Sequence, residues 1–239
     1  MRSAKVGRWL LCIFVMMPTA MHAQSPVSGP NTAELRLQIV TSEPGKTRKV
    51  PAVIWLEPTA GTSPLPFPAQ GKYTLLQKNR TFIPHLQVIP VGAVVQFPNA
   101  DPFFHNVFSL YEGKRFDLGL YEAGSSKSVT FSREGVSYIF CNIHPEMSAV
   151  VLALSTPLYA IADANNSFKL RNIPPGDYKM HIWIEGVPQS FLEGRSRLVH
   201  FPPLTVDLGQ LPAPISRVGS MMHANKFGND YSVEPQQTY

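Results

Sequence analysis

Cysteine is scarce in this chain: 239 residues carry two, Cys12 and Cys141. Hydrophobic runs are short. Trp9 to Met17 is apolar but ends at Pro18, too short to cross a bilayer, and no second hydrophobic span follows. Amphipathic runs of helix length are few, no helix is predicted, and no Gly-rich phosphate loop is present. H-x-H pairs are missing too. These absences speak against a membrane-spanning chain, a nucleotide-binding α/β fold, a disulfide framework and a multi-histidine catalytic copper cluster.

The position of the two cysteines matters more than their number. Arg2, Lys5 and Arg8 precede the apolar stretch, and small residues up to Ala23 follow it, the pattern of a cleaved secretory signal over residues 1–23. Cleavage removes Cys12. The exported chain then holds one thiol, Cys141, and forms no intramolecular disulfide. A lone thiol in an oxidising compartment is reactive, paired between chains, or a metal ligand. Cleavage also removes three of the 21 Lys+Arg and no acid, leaving 18 against 16. The basic balance belongs largely to the signal, and no nucleic-acid partner is inferred from it.

What the chain has in quantity is proline, 23 residues, and short alternating segments. After a flexible leader at 24–33, Glu34 to Val40 alternates apolar with polar residues, and Val50 to Leu56 is rich in β-branched and aromatic residues. A Pro- and Gly-dense loop runs from Pro58 to Gly71. Strands are predicted at Lys72 to Gln77, Phe82 to Val88, Ala93 to Phe97, His105 to Leu110, Ser128 to Phe131, Val136 to Cys141 and Ala149 to Leu154. A smaller β module follows at 156–210, with strands at Tyr159 to Asp163, Phe168 to Leu170, Tyr178 to Ile184 and Leu204 to Leu208. Its size is marginal for an independent core, so it is expected to pack on the first unit, along Trp183. Residues 211–239 read as a disordered tail. The fold class is all-β.

The chemistry concentrates in C-N-I-H-P-E-M, Cys141 to Met147. A thiolate, an imidazole and a thioether lie within one short loop between two strands. Two His, one Cys and a weak axial Met describe an electron-transfer copper site. The missing imidazole is best supplied by His105, where a turn leads into a strand. Asn106 beside it is placed to hydrogen-bond to the Cys141 loop, and Pro145 to stiffen that loop. His85 sits inside a strand pattern and reads as structural. His181 reads as surface or inter-module, and His200 and His223 have no nearby ligand partners. Structural zinc sites seldom use Met, and a binuclear copper centre needs a second cysteine. Cys-His nucleophilic catalysis lacks a third partner.

H-N-V at His105 to Val107, followed by C-x2-H-x2-M, resembles the type 1 copper signature of the cupredoxins, most like the plastocyanin and amicyanin branch. Phe82 to Asp101 is similar to the strands before the first His ligand. The resemblance covers about Phe82 to Leu154 and extends to exported methylamine-utilisation-like proteins. It implies a Greek-key β-sandwich with one copper, His105, Cys141 and His144 as equatorial ligands and Met147 as the axial one. The copper domain is then 34–155, with the membership of the strands in 34–71 open. Ala162 to Trp183 resembles carboxypeptidase-regulatory-like, transthyretin-like modules, which carry no chemistry of their own. The expectation is a periplasmic or secreted protein, not an enzyme, passing single electrons between protein redox partners. The alternative is an exported binding or surface module whose copper is structural or stored.

Overall fold

A computed structural model describes residues 32–41, 49–110, 113–202, 204–215 and 225–229. The expected signal and most of the leader lie outside them. Within them the chain is almost all β, as the sequence predicts. In chain order the strands are β1 (Ala33–Thr41), β2 (Ala52–Pro58), β3 (Tyr73–Thr74), β4 (Leu76–Lys78), β5 (Thr81–Ile83), β6 (Leu86–Pro90), β7 (Val94–Pro98), β8 (His105–Ser109) and β9 (Phe116–Tyr121). There follow β10 (Ser126–Thr130), β11 (Gly135–Cys141), β12 (His144–Leu154), β13 (Tyr159–Ile161), β14 (Ser167–Ile173) and β15 (Gly176–Ile184). The short helix α1 (Gln189–Glu193) precedes β16 (Arg197–Phe201) and β17 (Thr205–Ala213).

The strands make two sandwiches that share a wall. The wall is the sheet β6-β12-β11-β8-β9. On one side the sheet β10-β7-β3 closes a core of Val95, Phe97, Val107, Phe131, Ile139 and neighbours, which also buries Cys141 and Met147. On the other side the sheets β14-β1-β17 and β13-β2-β15-β16 enclose a second core. Strand β12 shows why one sheet serves both. Val150, Leu152 and Leu154 enter the second core, while Ala149, Val151 and Ala153 enter the first. Successive side chains point to opposite faces, so an unbroken apolar run is the pattern of a strand buried on both sides.

The N-terminal strands join the later module. β1 pairs with β14 and with β17, and β2 with β13 and β15. Leu35, Leu37 and Ile39 are at most 4% exposed, as the alternation of β1 predicts. Trp183 lies 2% exposed in the second core, and its indole Nε1–H donates to Tyr138 Oη of β11 at 3.2 Å. The expected packing along Trp183 is therefore what is found. The Pro- and Gly-dense loop also packs inward: Leu65 and Phe67 lie against this core, with Phe67 6.0 Å from the Tyr159 ring.

Several boundaries differ from the sequence reading. Phe82 to Val88 is two strands, interrupted at Pro84, which offers no N–H to a ladder. β9, β16 and α1 were not predicted. The strand expected from Ala149 starts at His144, because Cys141 pairs with His144 across a tight turn. The expected tail also differs: Leu211 to Ala213 finish β17 alongside Ile39 to Thr41, and 225–229 form a turn against the β11–β12 hairpin.

His85 links the two units. Its Nδ1–H donates to Ser148 O at 3.1 Å and its Nε2–H to Glu185 Oε1 at 2.6 Å. Two acceptors suit the imidazolium. The Glu185 hydrogen bond raises the His85 pKa above its ordinary value; burial opposes this, and the Glu185 charge and the Ser148 carbonyl add to the rise. A raised histidine pKa stabilises the fold fully below the unfolded value near 6.5 and loses that contribution as pH climbs through the folded pKa. The melting temperature is expected to fall as pH rises above about 6.5. His85→Gln should flatten that slope in a pH series of thermal melts.

Candidate metal centre

Two stretches far apart in sequence meet at the end of the shared wall. The first is the turn before β8. Asn99 holds it from inside: its Nδ2 donates to Phe103 O at 2.8 Å and its Oδ1 accepts from Asp101 N at 3.0 Å. A side chain bonding its own backbone two residues on is the Asx-turn device. This turn brings His105 into β8 with its side chain fully buried. The second stretch is the β11–β12 hairpin. Its register breaks after Phe140: Phe140 faces Ser148, while Cys141 faces His144. Pro145, Glu146 and Met147 therefore have no cross-strand partner and bulge from the ladder. Pro145 sits at a position where a missing N–H costs no ladder bond.

The result is a compact donor set. Ligand atoms of His105, Cys141 and His144 all lie within 4.8 Å of one another, the one such group of His, Cys or acidic residues among the described residues. Cys141 Sγ is 3.6 Å from His105 Nδ1 and 3.4 Å from His144 Nδ1. The two imidazoles are 4.9 Å apart, and the Phe103 ring stands 5.3 Å from one and 5.6 Å from the other. Met147 is 1% exposed and belongs to the same core as Cys141. His144 is half-buried, and Phe104 and Ile143 are exposed. His85, His181 and His200 stand apart, paired with Glu185, Glu57 and Asp177. His223 lies outside the described residues.

Asp101, which the sequence reading gave no role, organises this set. Its carboxylate accepts from the backbone N–H groups of Asn79 at 2.6 Å and Arg80 at 2.9 Å, and from His105 Nε2–H at 2.9 Å. Burial raises the carboxyl's pKa, but these donors outweigh it and hold Asp101 below the ordinary carboxylate range. An ionised Asp101 can only accept, so His105 carries its proton on Nε2 and turns the lone pair of Nδ1 toward Cys141. Burial lowers the pKa of His105 in spite of Asp101, and burial with the like charges of His105 and Arg80 lowers that of His144 to about 4. Both imidazoles are thus held neutral, the form that ligates metal.

Burial raises the Cys141 thiol, against the backbone N–H groups of Asn106, Ile143 and His144, which favour its thiolate. Three donors converging on one sulfur suit a thiolate once a cation replaces its proton. Asn106 ties the two ligand stretches together through its backbone: its carbonyl accepts from Asn142 N at 3.3 Å. Its side chain turns away from the loop and donates to Asp117 Oδ1 at 2.8 Å. The hydrogen bond between Asn106 and the Cys141 loop thus runs through its backbone, while its side chain braces Asp117.

The donor set fits a soft, borderline cation better than a hard one: one thiolate, two imidazoles, and a thioether in the same core. Asp101→Ala is expected to lower metal affinity roughly 10–100-fold, the usual cost of losing the group that orients a ligating His. A competition titration with a chelator of known affinity checks this.

No protein-family model matches the chain, and no curated protein matches it. Similarities exist among solved structures. A purple cupredoxin from Nitrosopumilus maritimus is 25% identical with a TM-score of 0.32, over 36% of this chain and 100% of that one. A copper-containing nitrite reductase from Thermus scotoductus SA-01 is 24% identical with a TM-score of 0.34, over 41% of this chain and 25% of that one. A reduced amicyanin variant is 22% identical with a TM-score of 0.33, over 38% of this chain and 94% of that one. Each covers well under half of this chain, and the assignment of the site rests on its own geometry.

Proposed function

We propose that this chain is an exported electron carrier with one type 1 copper, held by His105, Cys141 and His144 with Met147 as the weak axial donor. The observation that carries this is the convergence of a buried thiol and two neutral imidazoles, their ligand atoms within 4.8 Å of one another, from two separately anchored strands. Copper would supply a one-electron couple between its two common oxidation states. The chain's own residues do the rest. Asp101 fixes the His105 tautomer, the N–H groups of Asn106, Ile143 and His144 hold the thiolate, and Phe103 packs beside both rings. A fixed ligand set limits rearrangement between oxidation states, which favours fast outer-sphere transfer. The closed core keeps water from the sulfur.

His144 is the proposed exit for the electron, being half-buried where the other donors are buried. Exposed Phe104 (55%) and Ile143 (40%) form an apolar rim suited to a redox partner protein. The chain is not an enzyme on this reading, and its place is periplasmic or secreted; among the described residues no helix is long and apolar enough to cross a membrane. The copper unit is proposed to span β3–β12, and the second sandwich to be a carboxypeptidase-regulatory-like module.

Protein-film voltammetry of the copper-loaded chain tests the electron-carrier reading. A reversible one-electron wave supports it. A second reading, a binding module with structural or stored copper, is favoured by the second sandwich, whose core shares β12 with the site's sheet. Copper that binds tightly but gives no reversible wave would select that alternative.

A further inference from the structure

The turn at 225–229 touches the metal centre from outside either sandwich. It is self-held: Asn225 Oδ1 accepts from Phe227 N at 2.9 Å and Asn229 N at 3.1 Å, and Asn225 N donates to Asn229 O at 2.8 Å. This turn presents Lys226, which makes two hydrogen bonds to the rest of the fold. Its backbone N–H donates to Asn142 Oδ1 at 2.8 Å, on the hairpin turn between Cys141 and His144. Its Nζ donates to Asp117 Oδ2 at 2.8 Å. Asp117 in turn accepts the Asn106 side chain and Gly119 N–H on its other oxygen, at 2.8 and 2.9 Å.

We propose that Lys226 is a positioning residue for the metal centre: residues 225–229 are a clasp that locks the His105 strand and the Cys141–His144 hairpin in register. Asn106 is where the two paths meet. Its side chain is held by Asp117, its carbonyl holds Asn142 N, and its N–H faces the Cys141 sulfur. Moving Asn106 or Asn142 therefore changes both the sulfur's hydrogen bonds and the spacing of the ligands. Lys226 acts on both residues at once, through one backbone and one charge-assisted bond. The salt bridge alone is partly exposed, with side chains 25% and 37% accessible, and as an isolated pair contributes little to global stability. Its role is local. The clasp also supplies a partner for the Asn142 side chain, whose Oδ1 accepts from Lys226 N.

This rests on the copper reading above, so the test is run on the full chain both with and without metal. Lys226→Met and the conservative Lys226→Arg are compared with wild type. In metal-free protein, amide exchange at Asn142 is expected to quicken about tenfold in Lys226→Met, the effect of losing one hydrogen bond to a charged group. Exchange at Leu152, inside β12, should not change. With Cu(II) added, the sulfur-to-copper absorption bands should redistribute in Lys226→Met and return in Lys226→Arg. Unchanged exchange and an unchanged spectrum in Lys226→Met, with wild type coloured, overturn the clasp and leave the copper reading intact. Quickened exchange at Asn142, with a wild type that takes up no copper, supports the clasp and overturns the copper reading.

Discussion

Cys141→Ser is expected to abolish the visible absorption of the copper-loaded protein while leaving the fold intact. The intense colour of a copper–thiolate centre arises from charge transfer out of sulfur, and an alcohol oxygen has no equivalent transition in the visible range. The hydroxyl is also a poor ligand here, because it does not ionise at neutral pH and two imidazoles remain as the only strong donors. The fold should survive for a separate reason. Burial usually makes a new polar atom costly, but this one replaces sulfur at a point where the N–H groups of Asn106, Ile143 and His144 already converge. A serine oxygen can accept from them. Absorption spectra with Cu(II), run beside far-ultraviolet circular dichroism, separate the two effects. A serine variant that keeps the colour contradicts the assignment of Cys141.

Trp183→Ala is expected to produce the largest loss of stability. The side chain is 2% exposed in the second core and anchors its indole N–H on Tyr138 of β11. Truncating a buried Trp costs about 3–5 kcal/mol. For an ordered chain of this size each kcal/mol shifts the melting temperature by roughly 2–4 °C, so a drop of about 6–20 °C is expected. The consequence reaches the candidate metal centre. Tyr138 lies three residues before Cys141 on the same strand, and β12 buries its two faces in the two cores. One cooperative transition is expected, with circular dichroism and copper colour lost together in a thermal scan. Two resolved transitions would show that the wall does not couple the sandwiches.

The local parts of this architecture were legible in the sequence, and the long-range parts were not. Cys141, His144 and Met147 stand within seven residues, so their spacing alone suggests a donor loop, and H-N at 105–106 suggests its complement. The alternation of Glu34 to Val40 gives β1 directly. What a sequence pattern cannot carry is pairing across more than a hundred residues. β1 takes its partners from β14 and β17, and β2 from β13 and β15, so a module that reads as a C-terminal appendage is completed by the N-terminal strands.

Other omissions have local causes. β9 contains Asp117 and Gly119, residues that read as a turn, and Gly119 does adopt a positive φ of 65°. β16 is an edge strand with Leu198 76% exposed, so burial leaves no alternating trace on it. α1 is too short for a helical period. Asp101 and Lys226 are invisible for a different reason: each acts on a ligand stretch through hydrogen bonds that only the fold creates. Asp101, four residues before His105 in P-N-A-D-P-F-F-H, could have been suspected from the need of a ligating His for a carboxylate partner. Nothing in the sequence around Lys226 points to the centre.

A Cu(II) titration of the full chain, followed by visible absorption, tests the central claim most directly. One mononuclear centre on His105, Cys141, His144 and Met147 predicts an intense blue or green band that grows linearly and stops at one copper per chain. A folded protein that binds copper without colour, or a band that keeps growing beyond one equivalent, would contradict it.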